Sequence, residues 1–144
     1  MNTLMKPSSR FTVALHVLTL LAYLGSETAT SEFIAGSVNT NAVVIRRLLA
    51  LLRKVGLVSS KGGPGGGWHL AVPAKRITLR EIFRAVESEG LFPLHAGQPN
   101  PRCPVGRTIQ AALMTRYQEA QLALEDDLAR TTVADLLQEV RTLE

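Results

Sequence analysis

Side chains able to do covalent or metal chemistry are sparse in this 144-residue sequence, and they do not cluster. It holds one cysteine, Cys103, and three histidines, His16, His69 and His95. No second histidine or cysteine stands at ligand spacing from His16. His95 and Cys103 could meet at one ion, but two ligands in a loop make an incomplete metal site. No paired carboxylates, Ser-His-Asp set or metal cluster stands out, which argues against an enzyme. A lone cysteine rules out an intramolecular disulfide and fits a reducing, cytoplasmic compartment. Cys103 precedes Pro104, and proline at the first helical position makes the cysteine an N-cap. Helix N-termini and cations such as Arg102 and Arg107 favour a thiolate. Cys103 therefore reads as a redox-sensing candidate, or as a small residue packed in a subunit seam.

Basic and glycine residues are concentrated where reactive ones are not. The formal net charge is +4, but residues 1–86 carry eleven Lys/Arg against three Asp/Glu, a net of +8. The remaining residues carry five against nine, a net of −4. Such a split implies that the N-terminal part meets a polyanion. Within it runs Lys61-Gly62-Gly63-Pro64-Gly65-Gly66-Gly67. A nucleotide P-loop needs Gly-Lys-Ser/Thr opening a helix, and a dinucleotide loop also needs a helix after it. Here the lysine comes first and Trp68-His69-Leu70 reads as a strand. The run fits a hairpin tip whose backbone can approach a nucleic-acid phosphate, or a merely flexible turn.

The elements around these residues follow from periodicity. Thr30 or Ser31 caps a short helix with Phe33, Ile34 and Val38 on its apolar side. Asn39, Thr40 and Asn41 break it. Val44, Ile45, Leu48, Leu49, Leu51, Leu52 and Val55 then repeat at helical spacing. Arg46, Arg47, Arg53 and Lys54 fill the remaining surface, and Gly56 ends the helix. Leu57–Ser60 and Trp68–Ala71 flank the glycine tip as strands, and Pro73 ends the second. Two short helices, a tight turn and a hairpin describe a winged helix-turn-helix. Base edges would be reached from Asn41, Val43, Val44, Arg46 and Arg47, one arginine reading guanine and the other holding phosphate.

Before this unit, residues 1–7 read as an arm and Ser8 or Ser9 caps a helix to about Leu24, apolar nearly all round. Lys6 and Arg10 before that run resemble a secretory signal, but His16 and Thr19 interrupt it and it is shorter than a membrane span. The better expectation is a buried supporting helix, with His16 satisfied in the core or at an interface. After the unit, Thr78 caps a helix to about Glu87, and Ser88–Arg102 reads as a loop. Val105, Ile109, Leu113, Tyr117, Ala120, Leu124 and Leu128 form a stripe along a helix from Pro104 to about Ala129. The stripe suits a second subunit, with part of it on the same chain's Val13–Leu24 helix. Thr131 or Thr132 caps a last helix, Val133 to about Leu143, expected to fold back onto the dimer.

Ser9-Arg10-Phe11, Ile34-Ala35, Arg47-Leu48-Leu49, Leu52 through Ser60, Gly65-Gly66-Gly67-Trp68 and Ile77-Thr78-Leu79 resemble one family. It is the bacterial winged-helix repressors that include the iron–sulfur cluster regulator and the nitrite- and nitric-oxide-sensitive repressor. The resemblance implies a mainly α fold with a small β-hairpin, plus a long C-terminal dimerisation helix. The implied units are a DNA-binding domain (1–87), an effector loop (88–103) and a dimerisation part (104–144). It implies a homodimer on double-stranded promoter DNA, with no membrane partner. Ser9, Arg10, Lys61, Gly62, Gly63, Gly65 and Gly66 join the expected DNA-contacting set. Gly62 stands where cluster-binding relatives place a minor-groove arginine, and Arg46 where the cluster regulator has glutamate. If Cys103 matches the last cluster cysteine, the other two fall at Leu91 and Gly97, and a possible histidine at Gly106. One thiolate cannot hold a cluster, so no cofactor is expected.

Overall fold

The computed structural model describes residues 8–87 and 91–144. The expected arm and the first three residues of the expected loop lie outside the described residues. In chain order the elements are α1 (Arg10–Leu24), α2 (Ser31–Val38), α3 (Ala42–Lys54), β1 (Val58–Lys61), β2 (Gly67–Leu70), a 3-10 turn (Ala74–Arg76), α4 (Leu79–Val86), α5 (Pro104–Leu128) and α6 (Val133–Leu143). The two strands pair antiparallel, Val58 opposite Leu70 and Lys61 opposite Gly67. Both lie one residue from their expected places.

Helix α1 is the centre of the core. Its Ala14, Val17, Leu18 and Leu21 are buried, and the helix is packed by α2, α4, α6 and β2. An all-round apolar sequence is what a helix contacted from several sides needs. Burying each such leucine contributes about 1.5–3 kcal/mol. Phe11 meets the Phe83 ring edge-on at 5.4 Å, fixing α1 to α4. Its start is held by Ser8, whose Oγ accepts from the Arg10 backbone N–H at 3.2 Å, and not by the Ser9 side chain. His16 is exposed, contrary to a core position, and hydrogen-bonds the Ser37 hydroxyl at 2.9 Å. No helix among the described residues is long and apolar enough to cross a membrane.

Local capping signals set the next boundaries. The Thr30 side chain accepts from Phe33 N–H, and Asn39 takes a left-handed conformation that ends α2. Gly56 and Leu57 donate back to Arg53 and Leu52, closing α3 with paired carbonyl contacts. Thr78 with Glu81, and Thr132 with Asp135, form reciprocal capping boxes at α4 and α6. Phe33 departs from its expected apolar side and is 55% exposed.

Helix α6 departs from the expected division at residue 104. It packs on α1 and the 3-10 turn of its own chain, and Val133 is fully buried. Backbone bonds from Leu79 N–H to Thr131 and from Val133 N–H to Ile77 stitch it beside α4. The N-terminal core is thus completed by the C-terminal helix. Helix α5 behaves differently: its main packing within the chain is on α4, where part of its stripe was expected to meet α1. Glu125 is its one buried residue. Arg84 Nε donates to Glu125 Oε1, Arg80 stands 3.9 Å away, and the Gln121 amide donates to Oε2 at 3.2 Å.

The hydrogen bond from Arg84 outweighs desolvation and holds the Glu125 carboxyl below its ordinary 4.5. A depressed carboxylate stabilises the fold above its unfolded pKa, and that contribution is lost as pH falls through the folded value. Glu125→Gln should therefore cost about 1–2 kcal/mol at neutral pH, since both arginines remain partly hydrated. The deficit should shrink as pH falls below the ordinary carboxylate range and vanish below the folded value. Urea melts of both proteins across pH check this.

Candidate nucleic-acid interface

Helix α3 is amphipathic because apolar and polar positions separate cleanly by the helical period. Ile45, Leu48, Leu49 and Leu52 are buried, while Val43, Arg46, Arg47, Ala50 and Lys54 form an exposed row on the opposite side. Asn41 Oδ1 accepts from Val44 N–H at 3.0 Å, so this expected contact residue also caps the helix. Val44 is half-buried against the core, which leaves Val43, 52% exposed, as the open apolar position of the first turn. Arg46 is not free: its Nη2 donates to Glu32 Oε1 of α2 at 2.5 Å, both side chains being exposed. Arg47 has no carboxylate within salt-bridge distance among the described residues. Arg10 lies 3.4 Å from Glu87 at the end of α4, while Ser9 is exposed beside it.

The wing is a braced hairpin and not a loose one. Ala29 exchanges both backbone hydrogen bonds with Trp68, and the Thr28 hydroxyl donates to the Gly65 carbonyl at 2.8 Å. The Arg53 guanidinium lies 5.1 Å from the Trp68 ring centroid, tying α3 to the wing by a cation–π contact. Lys61, Gly62, Gly63 and Gly65 are exposed at the tip. Gly66 is half-buried and has a structural reason: a Cβ there would stand 2.2 Å from the Lys61 carbonyl oxygen. At Gly67 a Cβ would stand 2.7 Å from the Ala29 carbonyl oxygen, with φ at 147°. The glycines therefore divide into an open tip and a tightly packed base. Thr28, Glu32, Arg53 and Trp68 were not singled out from the sequence as parts of this surface. Glu32 carried one available signal, being one of three acids in an otherwise basic half.

Cys103 is exposed and N-caps α5, with Pro104 following. The Arg107 guanidinium donates to the Pro101 carbonyl at 3.3 Å. The described residues contain no group of three or more His, Cys, Asp or Glu able to hold a metal ion.

Residues 7–139 match the family model Rrf2, described as an iron-dependent transcriptional regulator. YwnA of Bacillus subtilis (strain 168), named among HTH-type transcriptional regulators, is 43% identical over 131 residues, or 90% of this chain and 96% of that one. A crystallised protein described as DNA-binding is 38% identical, with a TM-score of 0.72 over 90% of this chain and 99% of its own. The oxidised form of Staphylococcus aureus CymR is 28% identical, with a TM-score of 0.65 over 92% and 96%. The family description implies iron, but the donor set here does not fit an iron–sulfur cluster. The chain has one thiol, and the described residues bring together no group of three or more His, Cys, Asp or Glu.

Gly66→Ala should destabilise the hairpin by about 1–3 kcal/mol through this backbone clash. Gly62→Ala, with nothing within 4 Å, should melt like the parent protein. Equal melting of the two variants would contradict the division of the glycine run.

Proposed function

The chain belongs to the Rrf2 family of transcriptional regulators, and from that premise we propose a homodimeric repressor that reads promoter DNA with α3 and the wing. That it is a DNA-binding transcriptional regulator is common to the family and the similar structures. The observation that carries the docking is the exposed row Val43, Arg46, Arg47, Ala50 and Lys54, continued by Lys61 on the braced wing. A helix of this width enters the major groove, while wing backbone and lysine meet phosphates. Asn41 supports the row as its cap. Ser9 and Arg10, at the root of α1, and the open tip Gly62, Gly63 and Gly65 complete the proposed contact set. Such a protein works where the chromosome is, in the cytoplasm.

Homodimer formation rests on α5. Its 25 residues span about 37 Å at 1.5 Å per residue, and along the stripe Val105 is 64% exposed while Ile109, Leu113, Tyr117, Leu124 and Leu128 are only half-buried. A second copy of the same stripe would cover this surface and give two recognition helices related by a two-fold axis. The regulator we propose works without an iron–sulfur cluster. Exposed Cys103 is its oxidant-responsive group, a reading supported by its position and by the likeness to the CymR structure solved in an oxidised form. Hydrogen peroxide would convert the thiol to a sulfenic acid with release of water, at the first turn of α5.

Duplex binding measured across salt concentrations tests the DNA reading. Lys61→Ala should weaken all sequences alike and lower the salt slope by about one. Arg46→Ala or Arg47→Ala should cost about 1–3 kcal/mol at one base position. Intact affinity and preference in both arginine variants would refute the docking. Repeating the titration with peroxide tests the thiol: the wild type should lose affinity and Cys103→Ser should not.

Sedimentation tests the assembly. Leu113→Asp puts a charge in the seam, so it should yield monomers or unfolded protein. A folded Leu113→Asp dimer with normal DNA affinity would exclude this seam.

A further inference from the structure

The contact between Glu32 and Arg46 is unusual for its place. It joins the first turn of α2 to the exposed row of α3, across fourteen residues of sequence. The side chains are 68% and 53% exposed, and a pair so hydrated adds little to stability. Glu32 also puts a negative charge on the surface that faces a polyanion. The half of the chain that supplies this surface holds only three acids, and another of them, Glu81, is occupied in a capping box. A carboxylate there lowers affinity for DNA in general, so what it contributes must lie in selection among sequences.

We propose that Glu32 is a specificity-determining positioning residue that presents Arg46 to a guanine. This rests on the reading of α3 as the major-groove helix. An arginine guanidinium carries five N–H donors in a planar fork. Glu32 Oε1 takes one from Nη2, and among the described residues the half-exposed Arg46 makes no other side-chain hydrogen bond. Bidentate recognition of guanine O6 and N7 needs two parallel donors held in one plane. An unbraced arginine must lose several rotors to reach that geometry, whereas one already held loses fewer. The same carboxylate makes failure costly. A base offering a donor in place of guanine's acceptors leaves the arginine unpaired on its DNA side, with Glu32 still facing the phosphates. Among the described residues Arg47 has no such brace, so it takes the phosphate role and Arg46 the base role.

The test uses full-length protein and a duplex selected for tight binding, alongside duplexes in which each guanine is replaced by adenine. Wild type, Glu32→Gln, Arg46→Ala and the double variant are compared at two salt concentrations. Glu32→Gln should melt as wild type does and bind unrelated duplex as tightly or more tightly, because a repelling charge is gone. Its preference for one guanine should fall by about tenfold. In the Arg46→Ala background the same substitution should change that preference no further. Undiminished preference in Glu32→Gln overturns the proposal, as does an equal fall in the Arg46→Ala background or a uniform loss on every duplex. A wild-type protein that prefers no sequence would overturn the α3 reading itself, and this inference with it.

Discussion

Glu125, the one buried residue of the long helix, marks where that helix meets the proposed DNA-facing body. Helix α5 buries no residue except Glu125, and Glu125 is held by Arg84 and Arg80 of α4. Apolar packing holds everything else: α1 lies at the centre of α2, α4, α6 and β2. The contrast has a consequence for regulation. A body packed at core density moves as a unit. In the proposed dimer the aim of α5 would set the spacing of the two recognition helices, and the proposed oxidation of Cys103 at its N-terminus would act through that spacing.

The proposed DNA-facing surface combines two electrostatic scales. At long range the excess of lysine and arginine draws the N-terminal body to a polyanion. At contact range the charges differ in kind. Lys61 is an exposed ammonium at the end of β1, suited to phosphate, whereas Arg46 is a planar fork already oriented by Glu32. Trp68 has a third role, since Ala29 and Arg53 meet on it and fix the wing relative to α3.

Much of this was legible in the sequence because it is local. The caps at Thr30, Thr78 and Thr132 involve side chains and N–H groups three residues apart, and each stands where its residue type predicts. Spacing alone gives the buried Ile45, Leu48, Leu49 and Leu52 of α3, although Leu51 and Val55 of the same repeat are exposed. Destinations were less legible than faces. Periodicity shows that Val133, Leu136 and Leu137 share a side, but not that the side lies on α1 of the same chain. Glu125 stands among Asp126, Asp127 and Gln121, so it reads as a solvated position, and its partner Arg84 is 41 residues away. The pairing of Glu32 with Arg46 likewise depends on how α2 crosses α3. His16 and Phe33 show the reverse limit: residues with apolar bodies tolerate exposure, and composition does not reveal it.

The central claim is that two copies of α3 read guanine in successive major grooves. Methylation interference on a genomic fragment selected by the protein tests it directly, because N7-methylguanine carries its methyl group in that groove. The account predicts interference at symmetry-related guanines one helical turn apart, about 10 base pairs, or at a multiple of that spacing. Selected fragments whose binding is indifferent to guanine N7 methylation, or sensitive only at minor-groove positions, would contradict it.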